Sequence, residues 1–214
     1  MIGRTLPALT IVILAAGYST RLGRPKALAR VHGATLLART LRSLHPFAAS
    51  SRIIVVFPAG AHRYRVGRDA RMVRFVANRH RARGLSSSVR LGITHARYAA
   101  GVLLLPVDLV HLRPRDIARL IARWRSGRRR VVARRRGLQA ATPLILPRTL
   151  YARALGVSGD QGLREFVRHL PADMISLVDM PSAEDDVDTA GDLEAARRRW
   201  HAPRSGIQTV CTSR

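Results

Sequence analysis

Apolar, β-branched runs alternate with amphipathic stretches along most of this chain. A strand that is apolar at every position needs cover on both faces, and a strand followed by a helix returns beside and parallel to its predecessor. The alternation predicts an α/β fold of three layers: a mostly parallel, Rossmann-like sheet with helices on both faces. Predicted strands run from Leu9 to Leu14, Arg52 to Phe57, Met72 to Val76, Gly101 to Val107, Arg130 to Ala133, Pro143 to Leu146 and Met174 to Val178. Between them the spacing predicts helices from Thr35 to Leu44, Ser86 to Ala99, Arg115 to Arg125, Pro147 to Leu155, Gln161 to Leu170 and Thr189 to Trp200.

Start signals support several of these helices. Ser86, Ser87 and Ser88 offer hydroxyl caps, Pro147 suits a first turn, and Thr189 followed by Asp192 suits the start of the last helix. With 214 residues the chain can bury a full core. No repeat or linker divides it, so residues 1–202 read as one domain and 203–214 as a flexible tail.

Of 38 Lys+Arg residues only Lys26 is a lysine, and against 13 Asp+Glu they give a formal net charge of +25. Such a balance invites a nucleic-acid partner, because basic surfaces neutralise phosphates. However, the arginines are spread from Arg4 to Arg214, and the clusters Arg128–Arg130, Arg134–Arg136 and Arg197–Arg199 lack interleaved aromatic residues for base stacking. The expectation is no specific nucleic-acid binding, with non-specific attraction to polyanions at low salt. No apolar run is long enough to cross a membrane. Arg4 followed by Leu6 to Ala16 imitates a secretory signal, yet that run ends in a turn carrying specific polar groups, which a signal does not need. Cys211 is the only cysteine, which rules out an intramolecular disulfide and favours a cytoplasmic address.

In an open parallel sheet, ligands bind beyond the carboxyl ends of the strands. Two such loops stand out. After Ile11 to Leu14 come Ala15, Ala16 and Gly17, small enough to let backbone N–H groups approach a phosphate or a base edge, with Gly17 free to adopt positive φ. Arg21 and Lys26 then bring the charge that a triphosphate requires. A compact ammonium differs from a planar guanidinium, so the one position that uses lysine points to a specific task. No G-x-x-x-x-G-K-[ST] or G-x-G-x-x-G spacing occurs in this loop.

The second loop follows Gly101 to Val107 and delivers Asp108. Ahead of position 110 only Asp69 and Asp108 are acidic, and Asp69 lies in an arginine-rich turn, so Asp108 is the candidate Mg2+ ligand on this half of the sheet. Most other acids come late, at Asp179, Glu184, Asp185, Asp186, Asp188, Asp192 and Glu194. The alternation Asp186-Val187-Asp188-Thr189 suggests carboxylates aimed at the same metal from across the cleft. None of the histidines forms a recognisable zinc spacing, and no G-x-S-x-G elbow is present.

Leu14-Ala15-Ala16-Gly17-Tyr18-Ser19-Thr20-Arg21-Leu22-Gly23-Arg24-Pro25-Lys26 resembles the L-A-A-G-x-S-x-R-x-G-x-P-K signature of molybdenum cofactor cytidylyltransferase-like nucleotidyltransferases. Gly84-Leu85-Ser86-Ser87-Ser88-Val89-Arg90 is similar to that family's G-[ML]-x-x-S-[LV] segment, and Asp186-Val187-Asp188-Thr189-Ala190-Gly191-Asp192-Leu193 to its D-I-D-T-P-x-D-[LFY] ending. The three fall in family order. The resemblance implies the nucleotide-diphospho-sugar transferase type of fold, nucleotide binding by the backbone of Ala15, Ala16 and Gly17, and phosphate binding by Arg21 and Lys26. It further implies Mg2+ on Asp108 with Asp186 or Asp188 contributing, and Ser86 and Ser88 near the base and ribose. Arg21, Lys26 and Asp108 would then be the catalytic residues.

Two positions depart from the family. Asp108-Leu109-Val110 lacks the proline of its Asp-x-Pro, and Ala141-Thr142-Pro143 stands where Gly-His-Pro is usual. The expected reaction is transfer of a nucleoside monophosphate from an NTP, CTP by preference, to a phosphorylated acceptor. The expected acceptor is the molybdopterin cofactor, which would pass to an acceptor enzyme once finished. A sugar- or alditol-phosphate nucleotidyltransferase is the enzymic alternative; a basic nucleic-acid-binding or regulatory, non-catalytic protein is the alternative of another class.

Overall fold

The computed structural model describes residues 9–60, 73–127, 129–156, 158–159, 162–184 and 186–201. The signal-like start through residue 8, Asp69, Arg128, Asp185 and the tail 203–214 lie outside the described residues.

Seven strands form one sheet: β1 (Leu9–Leu14), β4 (Ser51–Pro58), β5 (Val73–Asn78), β6 (Gly101–Pro106), β7 (Val131–Arg136), β8 (Gln139–Pro147) and β9 (Ile175–Val178), in the order β5-β4-β1-β6-β8-β7-β9. β5, β4, β1 and β6 are parallel neighbours and β7 is parallel to β9, whereas β8 runs antiparallel to both β6 and β7. The mostly parallel sheet is as expected. β8 reverses because only Gly137 and Leu138 separate it from β7, a connection too short for a parallel crossover. Positive φ at Gly137 completes that tight turn.

β1 is buried at all six positions, and its alternate side chains feed two cores. Ile11 and Ile13 pack with Leu37, Leu41 and Leu44 of α1 (Leu36–Leu44) and with Ile117, Leu120 and Trp124 of α3 (Pro114–Ser126). Val12 and Leu14 pack on the other face with Val89 and Ile93 of α2 (Leu85–His95), Ala154 of α4 (Tyr151–Leu155) and Val167 of α5 (Gly162–Arg168). Helices therefore cover both faces. α6 (Ala190–His201) joins a smaller cluster in which Leu193 and Ala196 meet Leu22, Val31 and Val110, seating it beneath the first loop. A short hairpin, β2 (Arg30–Val31) with β3 (Ala34–Thr35), turns at His32 and Gly33 and is an addition to the expected elements. Among the described residues no helix is long and apolar enough to cross a membrane.

Helix starts differ in how closely they follow their signals. Thr35 accepts from the Ala38 N–H at 3.1 Å and caps α1. Thr189 Oγ1 accepts from the Asp192 N–H at 3.2 Å while Asp192 accepts from the Thr189 N–H at 2.8 Å, a reciprocal capping box at α6. α2, by contrast, begins after Gly84, and Ser87 donates to the Gly84 carbonyl at 2.8 Å, so the serines lie inside the helix rather than cap it.

Candidate active site

Leu14 of β1 sits in register with Pro106 of β6 and with Val56 of β4, so the loops that follow β1 and β6 leave the sheet side by side. A cleft of about 350 Å3 opens there, lined by both loops, by Leu85 and Thr142, and by Asp186 and Asp188.

The first loop is shaped by a residue that charge and size do not single out. Ser19, not Gly17, takes the left-handed conformation, at φ 55°, ψ 40°, and Gly23 takes it next at φ 67°. Ser19 is doubly used: its carbonyl accepts from Leu22 and Gly23, and its Oγ accepts from the Lys26 N–H at 3.0 Å. That hydroxyl closes the loop and fixes where Lys26 begins. The Ala15 N–H donates to the Val56 carbonyl at 2.9 Å, which extends the β1–β4 ladder, while Ala15 also lines the cleft. Ala16 is buried, whereas Gly17 lines the cleft and an added Cβ there would meet nothing within 4 Å. Close backbone approach is therefore open at Gly17.

Lys26 and Asp108 come together. The Lys26 ammonium donates to Asp108 Oδ2 at 3.0 Å and to Asp188 Oδ1, while Arg21 Nη2 donates to Asp188 Oδ2 at 2.8 Å. Burial works to lower the Lys26 pKa, but the Asp108 charge and the hydrogen bonds to Asp188 and Asp108 outweigh it, and the amine is held above its usual range. Asp188 is held below the usual carboxylate range by its Lys26 hydrogen bond, with Lys26 and Arg21 charges adding to the effect against burial.

Asp186 reaches the cleft beside the Asp108 loop. The Val187 N–H donates to the Asp108 carbonyl at 3.1 Å and Asp186 bridges to Leu109, a short antiparallel contact that ties the late acids to the metal-candidate loop. Burial and then the neighbouring Asp108 charge push the Asp186 pKa up, against Arg134 and Arg136. Its Oδ1 is buried and finds no hydrogen-bond donor among the described residues. The capping box secures the last acid, since Asp192 also accepts from the Asp188 N–H at 3.0 Å.

Among the described residues, no group of three or more His, Cys, Asp or Glu side chains is placed to hold a metal ion by itself. Mg2+ does not need one: it binds one or two carboxylates and fills its remaining positions with substrate phosphates and water. The Asp186 carboxylate, near a like-charged Asp108 and without a hydrogen-bond donor on Oδ1 among the described residues, suits such a cation.

Ser86 and Ser88 are buried and do not line the cleft; Leu85 does. Ser86 Oγ donates to the Arg83 carbonyl at 3.4 Å. Asn78, at the end of β5, donates to Ser87 and Ser88, each at 2.9 Å, and accepts from the His80 N–H at 2.8 Å. Ser19 and the buried Arg134 were not among the sequence candidates, and Thr142, noted there only as a departure from the family pattern, lines the cleft. For Ser19 the signal was present in its loop signature; for Arg134 nothing distinguished it from its arginine neighbours.

A family described as MobA-like NTP transferase domain matches residues 11–186. Nicotine blue oxidoreductase of Paenarthrobacter nicotinovorans is 33% identical over 193 residues, covering 86% of this chain and 94% of that protein. A probable molybdenum cofactor guanylyltransferase of Rhodopirellula baltica is 33% identical over 129 residues, 59% of this chain and 60% of the relative. The crystal structure of Rv0371c from Mycobacterium tuberculosis H37Rv superposes with a TM-score of 0.73 at 25% identity, covering 91% of this chain and 99% of that one.

Proposed function

This chain belongs to the MobA-like NTP transferase family, and from that premise we propose that it is a Mg2+-dependent nucleotidyltransferase transferring a nucleoside monophosphate from CTP to a phosphorylated acceptor. The observation that carries the reading is the cluster at the strand ends: Lys26 bonded to Asp108 and Asp188, with Arg21 on Asp188. Two cations held on carboxylates can exchange those partners for triphosphate oxygens when a nucleotide enters.

An acceptor phosphate oxygen attacks the α-phosphorus, the bond from that phosphorus to the bridging oxygen breaks, and pyrophosphate leaves with the electron pair. A phosphate monoester is already nucleophilic at neutral pH, so no side chain has to take a proton. Asp108 and Asp186, with Asp188 beside them, would hold Mg2+, which supplies positive charge against the triphosphate oxygens. The chain's own share is alignment and charge: the bare main chain at Gly17 lets the nucleotide approach closely, Ser19 fixes the loop, and Lys26 and Arg21 neutralise the departing pyrophosphate.

CTP is preferred because Ala16 precedes Gly17, where guanylyl-transferring relatives more often carry Gly-Gly. Molybdopterin is the proposed acceptor, and Thr142, standing in for the usual histidine, is among the residues that line the cleft. The finished cofactor would pass to an acceptor enzyme. A second reading, a redox enzyme on the same cleft, is favoured by the breadth of the match to the oxidoreductase relative. The carboxylate and cation cluster argues against it, since two-electron transfer to an organic acceptor has no need of a Mg2+-triphosphate site.

The deciding measurement is thermal stabilisation by CTP, GTP, ATP and UTP with and without Mg2+, then pyrophosphate release with molybdopterin and with sugar or alditol phosphates. Mg2+-dependent stabilisation by CTP and pyrophosphate release with molybdopterin are expected. Oxidation of a reduced nicotinamide dinucleotide without any pyrophosphate release would replace this reading with the redox one.

A further inference from the structure

Two charged side chains are buried among the described residues, Asp116 and Arg134, and both grip the segment that carries Asp186. Asp116, in the first turn of α3, accepts from the Ser182 N–H at 3.1 Å and from its hydroxyl at 2.5 Å, and Ser182 Oγ accepts from the Arg113 N–H at 2.9 Å. That anchors the near end. The far end is anchored where the Val187 N–H meets the Asp108 carbonyl. Between the anchors, Arg134 donates through Nη1 to the Ala183 carbonyl and places Nη2 at 3.9 Å from Asp186 Oδ1.

Holding a carbonyl does not by itself require a charge. A buried arginine is costly to desolvate, and apolar replacements of buried ion pairs are often no less stable, so stability is a poor reason for a guanidinium at 134. What the charge faces is Asp186, whose Oδ1 is buried and has no hydrogen-bond partner among the described residues, as is true of Arg134 Nε. The two groups approach without closing into a hydrogen bond, and the guanidinium charge opposes the repulsion of the carboxylate from Asp108. Local backbone geometry serves the same end. The β7–β8 register shifts between Ala133 and Arg134, and such a bulge re-aims the side chain that follows it. Ala141, opposite Arg134 across the ladder, is small and leaves room for it.

We propose that Arg134 is a positioning residue: it holds the Ala183 carbonyl and sets the Asp186 carboxylate toward the cation that accompanies the nucleotide, acting through Asp186 rather than on substrate. The inference rests on the nucleotidyltransferase reading. Mn2+ binding, followed by paramagnetic resonance with a non-hydrolysable CTP analogue, tests it without turnover. Arg134→Gln retains a donor for the Ala183 carbonyl but removes the charge, and should bind Mn2+ about 10- to 100-fold more weakly, the usual effect of losing a group that orients a ligand. Arg134→Lys keeps the charge and should recover most of that loss. In the background of Asp186→Asn, adding Arg134→Gln should cost nothing further.

Wild-type affinity in Arg134→Gln overturns the inference, as does full additivity with Asp186→Asn. Arg134→Lys as weak as Arg134→Gln would assign the loss to loop packing and overturn it equally. A wild-type protein that takes up no Mn2+ with the nucleotide defeats the function reading and, with it, what is built upon it here; normal wild-type binding with an unchanged Arg134→Gln defeats this inference alone.

Discussion

Lys26 illustrates how much one side chain decides. Its stem crosses the first loop to reach two acids that lie 82 and 162 residues away, and a single ammonium bridges them. A guanidinium is larger and its donors are fixed in a plane, so an arginine cannot contact both acids in the same way. Lys26→Ala and Asp108→Ala should each lower pyrophosphate release by about 10² to 10³ or more with the circular dichroism spectrum unchanged, the scale of losing one preorganised charge. Near-normal release from either variant would sink the assignment. At this scale the usage bias made Lys26 conspicuous, and the scarcity of early acids did the same for Asp108. The family resemblance implies Ser86 and Ser88 near the base and ribose; in the structure the Ser86 hydroxyl donates to the Arg83 carbonyl and the Ser88 hydroxyl accepts from Asn78.

Elements put those residues in place, and their packing is close. Gly92 in α2 lies against β1, where an added Cβ would stand 2.6 Å from Val12 Cγ1, on a stiff β-branched side chain in the centre of the sheet. Gly92→Ala should therefore destabilise the protein by about 1 to 3 kcal/mol through overpacking, despite the better helix propensity of alanine, with a lowered unfolding midpoint as the readout. An unchanged or raised midpoint would show that α2 can lift off the sheet at no cost. At the end of the same helix, burial lowers the His95 pKa, and the charges of Arg74, Arg52 and Arg97 lower it further. The unfolded chain thus binds the proton first. The contribution of neutral His95 is complete above its unfolded value of about 6.5 and is lost as pH falls from there through the lower folded value. His95→Gln should accordingly show a shallower fall in unfolding midpoint between pH 7 and pH 5 than the parent protein; parallel curves would contradict the assignment. Most elements were legible from periodicity, β1 to the residue. The β7–β8 arm was not, because Arg134 to Arg136 and Gln139 to Ala141 carry no apolar alternation, and their strand character comes from pairing with each other across a two-residue turn.

Across the whole molecule, a formal charge of +25 coexists with a cleft where carboxylates and cations offset one another. Several arginines that look like a nucleic-acid patch in the sequence are engaged within the fold: Arg134 is buried, Arg135 pairs with Asp179 at 2.9 Å and Arg136 lies 3.6 Å from Asp186. Binding to duplex DNA should be non-specific and fall by orders of magnitude between about 50 and 200 mM salt, while Mg2+-nucleotide binding changes far less. A sequence-selective, salt-resistant complex would favour the nucleic-acid alternative. The layered α/β class, the parallel half of the sheet and the loop that carries Lys26 are legible in the chain alone, because strand periodicity and a contiguous signature are local properties. Only in the folded chain does β8 come to lie antiparallel beside β6, does the Ala15 N–H pair with β4, do the late acids arrive at the Asp108 loop, and is one arginine among many buried beside Asp186. Each of these depends on which distant residues become neighbours, and contact across the sheet follows from packing the whole chain rather than from any segment of it.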